Sequence, residues 1–190
     1  FGIGIVMISG SGSIFNQQFG LPSFVGIIIM TILILITILS NVDRVVKVIA
    51  MITPFLILGV VVLFIHSMMT MEYSFFELDS IANEQSSATN HWLGSIINYV
   101  SLAIAMGASM TLVMGGDEPK EKIASIGGLA GGIGVGILIV LHHLAIFAQV
   151  DKVGHLDMPS LGLANQISPL FGVLYSIILF GMIFNSAVSM

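Results

Sequence analysis

Residues 123–150 read IASIGGLAGGIGVGILIVLHHLAIFAQV and carry no charged side chain over 28 positions. A helix that crosses about 30 Å of hydrocarbon needs roughly 20 apolar residues, so this stretch is long enough to span a membrane. A charge at the centre of such a helix costs about 2.5–3.5 kcal/mol. Uncharged runs of similar length lie at 1–42, 48–71, 85–116 and 158–190. The pattern predicts a polytopic membrane protein.

The composition of the chain excludes several other classes. Of 190 residues, 56% are hydrophobic and 8% are charged, whereas soluble domains carry about 25% charged residues. Five Lys and Arg are too few for a nucleic-acid-binding surface. With no cysteine, disulfides and thiolate metal sites are excluded. The apolar runs lack the alternation of strands, so the predicted fold class is all-α.

Six membrane spans follow from the position of the charges and turns. The first uncharged run is divided by the polar string FNQQFGLP at 15–22, which predicts a turn. The loops after the second and fourth spans hold four of the five basic residues, which places them in the cytoplasm. The acidic segment 69–90 is then external. Both ends of the chain are apolar, so we expect an internal part of a longer protein. The spans are predicted at 1–14, 23–40, 45–68, 91–115, 123–150 and 168–190.

Small residues mark two of the spans. GGLAGGIGVG at 127–136 contains three overlapping pairs of glycines four residues apart. Such pairs favour close packing against another helix, with a pathway lining as the alternative. In the fourth span, YVSLAIAMGASMTLVMGG at 99–116 has Gly107 near its centre. An interruption there would expose backbone groups able to hold a solute or an ion, whereas close packing is the competing interpretation.

The predicted spans hold neutral oxygen atoms rather than charges. The string SGSGS at 9–13 favours helix packing, and Asn185 shares a helix face with Ser189. This second pair fits either a sodium ion or hydrogen bonds between helices. His142 and His143 point about 100° apart and cannot chelate one metal together. We interpret them as structural, with a pH-sensitive gate as the alternative. No catalytic group, metal site or cofactor is predicted, and an enzyme is not expected.

Two stretches resemble the YkvI-like bacterial membrane proteins: SGSGSIFNQQFGLPSFVG at 9–26 and MPSLGLANQISPLFGVLYSIILFGMIFNSAV at 158–188. That family is similar to the amino acid–polyamine–organocation transporters, which have a LeuT-type arrangement of two inverted repeats. The resemblance implies that the chain is a fragment of such a transporter in a bacterial plasma membrane. Residues 1–68 would end the first repeat, 69–90 would form an external loop, and 91–190 would begin the second repeat. It also implies a break in the fourth span near 105–109.

The resulting hypothesis is a secondary transporter for a small, amino-acid-like organic solute, working by alternating access with Na⁺ as the candidate coupling ion. The alternative is a non-transporting sensor or assembly subunit that binds a partner through its external loop. The expected partners are the lipid bilayer and the solute, and not nucleic acid. The candidate residues for solute or ion binding come from three spans: Ser9, Ser11, Tyr99, Ser101, Gly107, Ser109, Asn185, Ser186 and Ser189.

Overall fold

The computed structural model describes residues 2–38, 42–85, 91–117 and 119–188. Every regular element in these ranges is a helix, which confirms the all-α prediction. The helices are α1 (Gly2–Phe19), α2 (Ser23–Ile38), α3 (Val42–Met69), α4 (Phe75–Glu84), α5 (Trp92–Asp117), α6 (Glu121–Phe147), α7 (Val150–Val153), α8 (Pro159–Ile167) and α9 (Pro169–Val188).

Two of these helices, α6 and α9, are long and apolar enough to cross a membrane by length and composition. Shorter apolar helical stretches occupy Ser23–Thr37, Thr53–Met69 and Trp92–Ala105. An all-helical membrane bundle agrees with these lengths, and the number of six spans stays a prediction.

Helix α1 continues beyond its predicted end. The string at 15–18 is helical rather than part of a turn, and the chain reverses only at Gly20–Pro22. Gly20 has φ +64°, and its N–H donates to Asn16 O at 3.0 Å, which is an αL helix cap. Glycine suits this position because it has no Cβ to clash. The polar residues stay helical because Gln17 and Gln18 find partners elsewhere in the fold, as shown below.

A bundle of α1, α2, α3 and α9, with α8 packed on α9, forms the most tightly packed part of the structure. Apolar side chains from α1, α3, α6, α8 and α9, and from the short helix α7, pack together at its buried centre. The fully buried members are Ile14, Leu63, Ala145, Val153, Leu161, Leu163, Ala164 and Tyr175. The short helices α7 and α8 fill the connection between α6 and α9, which correspond to two of the predicted spans.

Helices α5 and α6 stand largely outside this bundle. No described side chain of α5 is buried, and no residue from Glu121 to Leu144 is buried either. Helix α6 meets α3 through its C-terminal third, where Ala145 is buried. Helix α5 makes slight contact with α6. Helix α6 therefore joins the bundle through its C-terminal end, and α5 is the most weakly packed of the long helices.

The predicted break in the fourth span is wrong, because α5 is one continuous helix from Trp92 to Asp117. Gly107 lies within it, and its carbonyl accepts a hydrogen bond from Thr111 Oγ1 at 2.6 Å. One glycine costs about 1 kcal/mol relative to alanine in a helix, which is too little to interrupt 26 residues. The neighbours Ala105 and Ala108 are strong helix formers and favour continuity.

The predicted external loop contains helix α4. Ser74 donates from both its backbone N–H and its hydroxyl to Glu77 Oε2, each at 2.8 Å. These bonds fix the first turn of the helix. Leu78 is fully buried, and α4 packs on α7. The acidic segment is thus folded onto the bundle over the described residues 69–85.

Candidate functional site

The serines of α1 have different environments. Ser11 is fully buried, and its hydroxyl donates to Ile8 O and to Gly26 O, the latter at 3.2 Å. A Cβ on Gly26 would lie 2.5 Å from Ser11 O, so the backbones of α1 and α2 are in close contact. Ser11 therefore serves helix packing, which is the interpretation favoured for the SGSGS string. Ser9 is exposed.

The candidate residues of α9 lie near those of α1. The rings of Phe15 and Phe180 meet edge to face with centroids 5.6 Å apart. A Cβ on Gly10 would lie 3.4 Å from Ile183 Cδ1. The two helices are therefore antiparallel, and Ser9 lies at about the same level as Asn185. Asn185 and Ser186 are half-buried, whereas Ser189 lies outside the described residues.

The candidate residues of α5 are not brought to the other two helices. Tyr99 is 57% exposed, and Ser101 and Gly107 are exposed as well. A Cβ on Gly107 would meet only Thr111 Oγ1, at 4.0 Å, so this glycine is not wedged against a neighbour. The backbone of Ser109 belongs to α5, and its side chain is outside the described set. Of the three helices proposed to form the site, the structure brings together α1 and α9.

A polar joint between α1 and α8 was not predicted from the sequence. Gln17 pairs with the backbone of Met158: its Nε2 donates to Met158 O at 2.9 Å, and its Oε1 accepts from Met158 N at 3.0 Å. Asn165 Nδ2 donates to Gln18 Oε1 at 2.8 Å. The Asn165 amide also lies directly against Gly172, where a Cβ would clash. In the sequence, the two adjacent glutamines after an apolar helix were the signal that could have indicated this contact.

A second polar joint connects α3 with the end of α6. Gln149 is 1% exposed, and its Nε2 donates to Ser67 O at 3.3 Å, Thr70 O at 3.0 Å and Thr70 Oγ1 at 3.2 Å. These acceptors include carbonyls at the C-terminus of α3, which lack partners in the helix itself. Nearby, Lys152 Nζ lies 2.7 Å from Glu72 Oε1. This ion pair also ties the acidic segment to α7.

The histidine pair takes structural positions. His142 Nε2 and Ser160 Oγ share a hydrogen bond of 2.7 Å, which links α6 to α8. The ring of His143 is nearly parallel to that of Phe147, at a centroid distance of 6.4 Å. Both contacts agree with the structural interpretation of the two histidines. Over the part of the chain that the structure describes, no group of three His, Asp or Glu residues is arranged to hold a metal.

Two charged groups outside the spans have shifted pKa values. Hydrogen bonds from the backbone and the side chain of Ser74 hold the pKa of Glu77 below its usual 4.5. The hydrogen bond to Glu72 raises the pKa of Lys152 above its usual 10.5. Both groups are exposed and remain charged at neutral pH. They fix the geometry of the predicted external surface and supply no proton-transfer group.

A cavity of about 410 Å³ opens between α1, the turn after it, and α9. The hydroxyl of Ser176, its only polar side chain, already donates to Val173 O at 2.7 Å. A polar solute would therefore lose its hydration here without replacement hydrogen bonds. The cavity is lined by Ile14, Phe15, Phe19, Leu21, Ser176, Ile177 and Phe180.

The long apolar helices, the uncharged interior of the bundle and its small-residue contacts agree with a membrane protein of the all-helical class. The chain is similar to the uncharacterized membrane protein YkvI of Bacillus subtilis (strain 168), with 26% identity over 190 residues. The similarity covers 98% of this chain and 52% of YkvI, so the chain spans about half the length of this curated relative. No protein-family model and no solved structure matches the chain. The comparison supports a YkvI-like membrane protein, and the relation to LeuT-type transporters stays a prediction.

Proposed function

We propose that the chain is part of a secondary transporter that moves a small, amino-acid-like solute across a bacterial plasma membrane by alternating access. The proposed coupling ion is Na⁺. The observation that carries the proposal is the position of α5, an apolar helix with an exposed surface that has only slight contact with the rest of the described structure, mainly through α6. Alternating access requires helices to move against one another, and a helix with so little packing can do so.

The polar residues of α5 support this assignment. Tyr99 and Ser101 lie inside an apolar helix, and both are exposed on its surface. Lipid offers no hydrogen bonds, so polar side chains at membrane depth face other protein or an aqueous pathway. The proposed solute site therefore uses the intact face of α5, without a break, and movement of α5 toward the bundle would bring this face to Ser9 of α1 and Asn185 of α9.

Transport in liposomes tests the proposal. The full-length protein, purified and reconstituted, is given radiolabelled L-amino acids one at a time, with an inward gradient of either Na⁺ or K⁺. We expect at least one amino acid to accumulate, and to do so faster with Na⁺. The absence of accumulation for every amino acid under both gradients contradicts the proposal.

A matched pair of variants then tests the site. Ser101→Ala removes a hydroxyl from the exposed face of α5, and we expect it to lower uptake at least tenfold. Ser176→Ala removes a buried hydroxyl whose hydrogen bond stays within α9, and we expect uptake close to wild type. Equal uptake by the two variants rejects the assignment of α5 to the site.

The second candidate function, a sensor or assembly subunit, draws on the folded acidic segment. Asp79 and Glu84 are exposed carboxylates on α4 and are not needed for its cap. In a transporter, the double variant Asp79→Asn, Glu84→Gln keeps uptake within about twofold of wild type. A sensor or assembly subunit shows no uptake even as wild type, so the same liposome assay separates the two functions.

A further inference from the structure

Four buried side-chain atoms have no hydrogen-bond partner among the described residues: Ser67 Oγ, His142 Nδ1, Gln149 Oε1 and Tyr175 OH. Buried polar atoms are nearly always paired, and an unpaired one commonly points to a bound water or ion. Ser67 and Gln149 form the strongest case because their residues are in direct contact. Gln149 Nε2 lies 3.3 Å from Ser67 O, and both residues are at most 1% exposed.

The orientation of the Gln149 amide is fixed by its neighbours. Its Nε2 faces three oxygen atoms, which are two carbonyls and the hydroxyl of Thr70. Rotating the amide by 180° would place Oε1 against those carbonyls, and acceptors repel one another there. Oε1 must therefore point away from them. It stays an acceptor that needs a donor from another source.

We propose that one bound water molecule bridges Gln149 Oε1 and Ser67 Oγ. A water has two O–H groups and can donate one to each oxygen, so a single molecule satisfies both atoms. Buried waters typically make about three hydrogen bonds to groups of this kind. A metal cation is the weaker fit because two neutral oxygens fall short of a full set of ligands.

The water completes the joint that holds the end of α6 on α3. Gln149 supplies the direct hydrogen bonds, and the water extends this contact to the Ser67 side chain. The site is independent of transport, so its test needs no solute and does not depend on the proposed function.

Two measurements on the full-length protein test the proposal. The first is a density map at a resolution that shows ordered waters. We expect a peak within hydrogen-bond distance, about 2.6–3.2 Å, of both Ser67 Oγ and Gln149 Oε1. A map without a peak between the two atoms overturns the proposal.

The second measurement is the melting temperature in detergent. With the water present, Ser67→Ala removes a hydrogen-bonded hydroxyl, and the melting temperature falls by about 2 °C, as it does for Ser176→Ala. Ser176 is a matched control because it is equally buried and its hydroxyl is bonded within its own helix. Without the water, Ser67→Ala removes an unpaired hydroxyl, and the melting temperature stays constant or rises. A rise of the wild-type melting temperature in NaCl over KCl that Ser67→Ala abolishes identifies a cation and also overturns the proposal.

Discussion

The close contact between α1 and α2 predicts that Gly26→Ala strongly destabilises the protein. A Cβ at this position would lie 2.5 Å from Ser11 O and 2.9 Å from Phe15 Cδ2, whereas ordinary contacts begin at 3.4 Å. The helices must therefore separate by nearly 1 Å. That movement also stretches the hydrogen bond from Ser11 Oγ to Gly26 O, which is already 3.2 Å long.

The magnitude follows from three opposing effects. Overpacking of this kind costs about 1–3 kcal/mol, and the weakened hydrogen bond costs about 1 kcal/mol. The higher helix propensity of alanine relative to glycine offsets up to about 1 kcal/mol of these costs. The net expectation is a loss of about 1–3 kcal/mol in the free energy of unfolding, which lowers the melting temperature by several degrees.

The assay is thermal unfolding of the full-length protein in detergent, followed by intrinsic fluorescence. Gly4→Ala is the matched control, because it introduces the same change into α1 where no atom lies within 4 Å of the new Cβ. We expect the control to melt at or above the wild-type temperature. A Gly26→Ala protein as stable as Gly4→Ala would refute the argument that backbone contact requires glycine here.

Two further predictions concern polar contacts. Gln17→Leu removes both hydrogen bonds to the backbone of Met158 and should lower the melting temperature by about 2–4 °C. The control Gln166→Leu, at an exposed position, should change the melting temperature little. Equal effects of the two variants would contradict the role of the Gln17 joint. Because Ser74 lowers the pKa of Glu77, the cap fully stabilises α4 at pH values above 4.5, the usual pKa of the group. This stabilisation is lost as the pH falls through the lower pKa of Glu77 in the folded state. Amide exchange at the start of α4, corrected for intrinsic rates, should therefore lose protection on acidification in wild type and not in Glu77→Gln.

The approximate positions of the six long helices could be predicted from the sequence because each apolar run is bounded by charges or by a turn. The role of the SGSGS string in helix packing could also be predicted from the sequence, since small residues four apart permit close approach of two backbones. Both properties are local, and each depends on residues within one or two turns of helix.

The remaining features depend on long-range contacts or on small energy differences. Gln149 bonds to residues 79 and 82 positions away, and no local pattern identifies those partners. The expected break at 105–109 came from a family resemblance, whereas the cost of Gly107 is small beside the stability of a long helix. Of the three helices with candidate site residues, α1 and α9 meet and α5 remains exposed, so the site itself stays a prediction.

The joint between α1 and α8 has a consequence for biosynthesis. Gln17 emerges from the ribosome 141 residues before Met158, which at 5–20 residues per second is a delay of about 7–30 s. During that interval the α1–α2 hairpin sits in the translocon or the bilayer with two glutamine amides that lack their eventual partners. Insertion of the chain up to α8 thus completes a contact begun by α1, and a nascent chain stopped before residue 158 leaves that contact open.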